Sequence, residues 1–185
     1  MTDIRAFIAI DLSDEARAVL ADVVKMLTAR TPRGVKWVGP DRMHLTLRFL
    51  GATPTEQLQA LRHTLDDVAR QQRPFTLSLD ALGCFPNERK PRIIWIGLRD
   101  GLRPLQTLRE GLDESLQPLG WTADDRPFHP HLTLGRVKDH RARVDLPWGQ
   151  GVAPAEIPVS EIVLYESQLR PDGPRYIVRH TSPFG

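Results

Sequence analysis

His44-Leu45-Thr46-Leu47 returns as His131-Leu132-Thr133-Leu134, close to half of the 185-residue chain further on. Internal repetition dictates architecture, so the rest of the chain is read around this pair. Each copy sits in an alternating apolar run. Read as a strand, each puts its histidine and threonine on one face and its two leucines on the other. The leucine face belongs to a core. The His/Thr faces must then look into something polar, and two such faces make a symmetric cleft.

The bulk numbers bound the fold. A chain of 185 residues is one domain, or two small lobes sharing a core, and 41% hydrophobic residues suffice for a packed interior. The 25 basic and 23 acidic residues nearly cancel, so the pI near 9.0 does not by itself argue nucleic-acid binding. Local charge matters more: Arg89, Lys90 and Arg92 fall together, and Arg48 and Arg136 follow the two repeats. A single cysteine, Cys84, excludes an internal disulfide and any multi-cysteine metal site, and it suits a reducing compartment. The first residues carry no basic stretch followed by a long apolar run, and no stretch is apolar enough to span a bilayer. The expectation is a cytoplasmic protein without membrane contact, monomeric by default.

Along the chain, Arg5–Leu12 reads as a buried strand. Ser13 caps a helix over residues 14–30, with Ala16, Val19, Leu20, Val23, Val24 and Leu27 as its apolar stripe. Val35–Val38 is a short strand, and Met43–Leu50 carries the first repeat. Thr53-Pro54-Thr55-Glu56 reads as a capping box opening a helix that runs to about Gln72. Pro74–Leu82 and Ile93–Gly97 are strands, and Leu102, Leu105, Leu108, Leu112 and Leu116 mark a third helix. Residues 131–137 carry the second repeat, and Lys138–Pro158 is expected to be mostly loop. Val159–Tyr165 and Tyr176–Thr181 are strands joined by a turn at Pro171–Pro174. Each half contains a strand, a long helix and a strand bearing His-x-Thr. The fold class is therefore α+β, with two pseudo-symmetric lobes of antiparallel-rich sheet, outer helices and a cleft between the lobes. Residues 1–185 form a single duplicated domain in this reading.

Two imidazoles and two hydroxyls are the parts needed to break a phosphodiester without a metal. One histidine activates the nucleophile, one protonates the leaving oxygen, and the threonines hold the phosphoryl oxygens. Arg48 falls on the His44/Thr46 face by parity. Strand parity places Arg136 opposite His131, so a twist or bulge at the strand end is needed to bring it into the cleft. Two other readings stay open: a module that binds RNA ends or nucleotides without turnover, and a metallohydrolase. The latter would be built on His129 and His131, completed by Asp124, Asp125 or Asp139. His63, on a helix, and His140 and His180 have no evident role.

At these residues the chain resembles the 2H phosphoesterases, and within them the bacterial RNA 2′,3′-cyclic phosphodiesterases, also called 2′-5′ RNA ligase-like proteins. The likeness includes Arg5-Ala-Phe-Ile-Ala-Ile10, Val35–Gly51, Leu82–Gly97, Arg126–Arg136, Leu164–Ser167 and Arg175-Tyr176. The resemblance implies hydrolysis of a terminal RNA 2′,3′-cyclic phosphate to a 2′-phosphate, with reverse 2′-5′ ligation as a possible second direction. It implies no metal and no cofactor, and RNA ends or small cyclic nucleotides as substrate. It makes His44 the general acid and His131 the general base, with Thr46, Thr133 and Arg136 on the phosphate. Phe7, Trp37 and Phe128 are candidates to stack on a terminal base, and equally candidates for the core.

Overall fold

The computed structural model describes residues 3–31, 33–124, 127–138, 144–171 and 173–185. Its strands are β1 (Asp3–Ile10), β2 (Val35–Trp37), β3 (Leu45–Pro54), β4 (Phe75–Phe85), β5 (Ile93–Arg99), β6 (His131–Val137), β7 (Glu156–Val159), β8 (Glu161–Arg170) and β9 (Gly173–Pro183). The helices are α1 (Asp14–Arg30), α2 (Leu58–Arg70) and α3 (Leu102–Leu116). Asp125, Arg126, Asp139, His140 and Asp172 lie outside the described residues.

All strands pair antiparallel in one sheet of order β7-β4-β5-β6-β3-β1-β8-β9, with β2 also on β6. The two expected lobes are the halves of this sheet. One half is β3-β1-β8-β9 and the other is β6-β5-β4-β7. They meet at a single paired position, Leu45 against Leu132. Beyond it β6 pairs with β2 instead, through Val35–Val137, Lys36–Arg136 and Trp37–Gly135, so β3 and β6 diverge. Gly135 permits this crossing, because a Cβ there would lie 2.8 Å from the Trp37 ring and 2.9 Å from Val35.

The helices cover one face only. Leu20 and Leu27 of α1, Leu61 and Leu65 of α2 and Leu105, Leu108 and Leu112 of α3 pack on Ile8, Ile10, Leu45, Leu47, Ile94, Ile96, Leu132 and Leu134. Both leucine pairs of the repeat are thus core, as alternation requires, and each buried leucine stabilises by about 1.5–3 kcal/mol. The opposite face carries a smaller apolar cluster of Phe7, Ala9, Val163 and Tyr165, with Tyr176 against it.

α1 forms as expected, with the Ser13 hydroxyl accepting from the Ala16 N–H at 3.2 Å. The capping box does not form. β3 continues through Pro54, a single 3-10 turn at Thr55–Gln57 follows, and the Thr53 hydroxyl donates to the Gly51 carbonyl instead. The extended pairing with β1 outcompetes the local cap: Thr53 pairs with Ile4 and is fully buried. The expected loop 138–158 hides β7, whose short alternation in Glu156–Val159 gains its partners only from the edge of β4.

Candidate active site

Because Leu45 pairs with Leu132, the antiparallel register sets His44 across from Thr133 and Thr46 across from His131, on the face away from the helices. The four side chains form a diagonal arrangement about a local twofold axis. Each imidazole is oriented by the backbone two residues before it. His44 Nδ1 is 3.0 Å from the Arg42 carbonyl, and His131 Nδ1 is 2.7 Å from the His129 carbonyl. A carbonyl only accepts, so Nδ1 carries the hydrogen in both rings. Nε2 is left as the nitrogen that can take or give a proton in the cleft.

Both rings rest on aromatic groups. His44 stacks on Phe7 with centroids 4.7 Å apart and meets Tyr176 edge-on at 5.1 Å. His131 meets Phe85 edge-on at 5.1 Å and Trp95 at 6.1 Å. This half-enclosed setting penalises the charged ring. Burial holds the His44 pKa down at about 4, against weaker upward effects of the Arg42 carbonyl and the Asp11 carboxylate. Burial also lowers that of His131, with His129 and Arg136 pushing the same way and the His129 carbonyl opposing.

Paired bulges set what else reaches the cleft. In β3, Thr46 pairs with Ala9 and Arg48 with Ile8, leaving Leu47 without a partner in β1. In β6, Thr133 pairs with Trp95 and Gly135 with Ile94, leaving Leu134 without one in β5. The two bulges fall at the same position of the repeat. Their free carbonyls are satisfied from elsewhere: Leu47 by Arg109 Nη1 at 2.8 Å, Leu134 by the Val38 N–H at 2.7 Å. A second bulge in β3 leaves Leu50 unpaired, and its carbonyl accepts from Trp121 Nε1 at 3.0 Å.

A bulge reverses parity beyond it. Arg136 accordingly joins the His131/Thr133 face, exposed and close enough to depress the pKa of His131. At the matching place in β3 stands Phe49, 64% exposed on the cleft side and paired with Phe7. Arg48 is turned the other way, which corrects the parity expectation. It is buried, donates to the Thr122 carbonyl, and makes ion pairs with Asp113 of α3 at 3.4 Å and Asp124 at 3.6 Å.

Profile comparison matches the LigT-like phosphoesterase family to residues 10–95 and again to residues 96–176. The chain belongs to this family. Each matched half holds one His-x-Thr pair, that at the start of β3 in the first and that of β6 in the second. A Thermus thermophilus protein named RNA 2′,3′-cyclic phosphodiesterase is 40% identical over 94% of this chain and 87% of its own length. An Archaeoglobus fulgidus protein of the same name is 35% identical over 93% and 96%. Among solved structures, Escherichia coli LigT complexed with 3′-AMP superposes with a TM-score of 0.79 at 30% identity, covering 98% of both chains.

Other residues of this LigT-like chain find structural places. Phe7 is buried beneath His44 and unavailable to a base, while Trp37 and Phe128 pack partly buried on the main core. His129 is exposed and serves its neighbour through its carbonyl. Asp124 faces Arg48, and among the described residues no three His, Cys, Asp or Glu side chains gather as a metal-ligand group. His180 and Ser182 both meet Asp66 Oδ1 at 2.7 Å, tying β9 to α2.

The sequence reading passed over two positioning residues. Arg17 of α1 donates to the Pro40 and Met43 carbonyls at 2.8 and 3.3 Å, fixing the segment that delivers His44. Arg109 of α3 holds the Leu47 bulge, pairs with Asp113 at 2.8 Å and lies over the Phe128 ring at 5.1 Å. A lone arginine beside the leucine stripe of α3 was its only signal.

Proposed function

We propose that this LigT-like chain hydrolyses the 2′,3′-cyclic phosphate at RNA 3′ ends to a 2′-phosphate by two-histidine general acid/base catalysis. The supporting observation is the twofold-related pair of imidazoles, each locked as the Nδ1–H tautomer by an equivalent carbonyl and each beside a threonine on one cleft face. The relatives' shared name, RNA 2′,3′-cyclic phosphodiesterase, supports the same substrate.

In the reaction, His131 Nε2 takes a proton from water as its oxygen attacks phosphorus. The bond from phosphorus to the 3′ oxygen breaks, and His44, as imidazolium, gives that oxygen a proton. The phosphate stays on the 2′ oxygen and the 3′ hydroxyl is restored. Thr46 and Thr133 donate to the non-bridging oxygens, and Arg136 balances their charge. Both imidazoles are held neutral by burial in the free chain, so the phosphate anion must itself favour charging of His44 on binding. A 5′-hydroxyl in place of water gives a 2′-5′ linkage by the same steps. Only RNA has the 2′ oxygen this chemistry uses, so base identity need not be read.

One copy supplies every group named, consistent with a monomer formed by duplication of one unit within a single domain. No helix among the described residues is long and apolar enough to cross a membrane, and the reading assigns the cytoplasm as the place of action.

The test is turnover of a short oligonucleotide ending in a 2′,3′-cyclic phosphate. His44→Ala and His131→Ala should each lower kcat by about 10²–10⁴-fold with unchanged circular dichroism. Near-full activity in both variants would refute the assignment.

A further inference from the structure

The groups above act on one phosphorus, yet the cleft rim on the β1 side carries more positive charge than one phosphate needs. Arg17, Arg48, Arg70, Arg99, Arg109 and Arg179 all pair with carboxylates. Arg5, Arg42 and Arg136 pair with none among the described residues, although Asp3 stands two residues before Arg5. Arg136 flanks His131. The other two stand on the opposite lobe, and all three reach Tyr176 by charge, Arg136 most strongly.

Their placement follows from register. Arg5 and Phe7 share the cleft face of β1, and Phe7 meets Tyr176 edge-on at 5.1 Å. Ala6 pairs with Glu166 and Ser167 with Tyr176, so Arg5, Ser167 and Tyr176 form a row across β1, β8 and β9. The Arg42 guanidinium lies on the same hairpin: a Cβ at Gly173 would be 2.5 Å from its Nη1. Burial raises the Tyr176 pKa, and positive charge from Arg136, Arg42 and Arg5 opposes it, as their convergence requires. Arg5 lies four residues before Ala9, the partner of Thr46, or about 13 Å along the strand. Beside Arg5, from Phe49 to the start of β1, opens a concavity of about 470 Å³ lined by Asp3, Ile4, Arg5, Phe49, Gly51 and Ala52.

We infer that Arg5 and Arg42, with the Ser167 and Tyr176 hydroxyls, form a subsite for a second phosphoryl group, the one on the 5′ oxygen of the nucleoside that carries the cyclic phosphate. This rests on the phosphodiesterase reading above. The RNA body then leaves the cleft over β3, β1, β8 and β9, not over the β6 half. The backbone offset of about 13 Å suits one nucleotide plus an extended guanidinium side chain.

The test compares kcat/KM for adenosine 2′,3′-cyclic phosphate, its 5′-phosphorylated form, and an adenosine dinucleotide ending in a 2′,3′-cyclic phosphate. The unaltered protein should favour substrates with a 5′-phosphoryl group by about tenfold or more, mainly through KM, and less so at high salt. Preference for the dinucleotide alone assigns the subsite to a phosphodiester, and preference for both to any 5′-phosphoryl group. Arg5→Ala should remove most of that preference, and Arg5→Lys should keep part of it. Turnover with the same substrate ratio in the unaltered protein and Arg5→Ala would overturn this inference alone. No turnover of any of the three by the unaltered protein would overturn the phosphodiesterase reading and this inference with it.

Discussion

Leu45 and Leu132 are Cα partners across the junction of the two sheet halves, and they are the same residue of the two repeats. A twofold axis passing between them relates His44 to His131, Thr46 to Thr133, and the Leu47 bulge to the Leu134 bulge. One paired position therefore sets the relative placement of all four candidate side chains. It also explains why the leucines are core: their packing against the helices defines the floor from which the histidines rise.

The pH dependence of turnover follows from the buried rings. Both pKa values lie below the ordinary 6.5, His44 at about 4. A reaction needing one charged and one neutral imidazole is fastest between the two values. The kcat/KM profile, which reports the free enzyme, should peak on the acid side of about pH 6.5. An optimum at or above about pH 7.5 would contradict the assigned pair.

The same shifts act on stability. A histidine with a depressed folded pKa binds protons more readily when unfolded, so its contribution is complete above about pH 6.5 and is lost as pH falls toward the folded value. Asp66 and Glu166, also depressed in the folded state, lose theirs only below their ordinary 3.8 and 4.5. Between pH 6.5 and 4.5 the histidines dominate. Urea unfolding should show stability falling by on the order of 1–3 kcal/mol across that window, and His44→Phe should flatten the fall.

Arg48 and Arg136 should separate cleanly. Arg136→Ala removes a guanidinium from the cleft and should lower kcat/KM by about 10–10³-fold at unchanged stability. Arg48→Ala removes a buried guanidinium from the Thr122 carbonyl and from Asp113, which keeps Arg109, and should destabilise by about 1–3 kcal/mol. Its folded fraction should turn over near normally. Activity and urea midpoints measured on both variants check the contrast.

Gly83 lies beneath the Trp95 indole, where a Cβ would come 2.2 Å from the ring. Gly83→Ala must displace Trp95, which lies beside His131. The variant should lose about 1–3 kcal/mol of stability and change its near-ultraviolet circular dichroism, with kcat falling more than KM rises. Unaltered kcat would show that His131 does not depend on the Trp95 floor.

Much of this was legible in the chain. Alternation placed Leu45, Leu47, Leu132 and Leu134 in the core, and leucine spacing located α3 within Leu102–Leu116. Local signals failed where tertiary pairing decides. The Thr53–Glu56 box yields to the β1 ladder, and β7 is too short to announce itself. Parity misplaced Arg48 because the bulge at Leu47 depends on a donor far along the chain, Arg109. Parity alone set Arg136 away from the cleft; only the role implied by the family resemblance called for a twist or bulge, and Leu134 supplies the bulge.

The most direct measurement is to incubate the EDTA-treated protein with an oligonucleotide ending in a 2′,3′-cyclic phosphate and read the product by mass and phosphatase sensitivity. The two-histidine account predicts the gain of one water and a 2′-phosphate end with chelator present. A 3′-phosphate product would contradict it, as would turnover lost on chelation and restored by added metal.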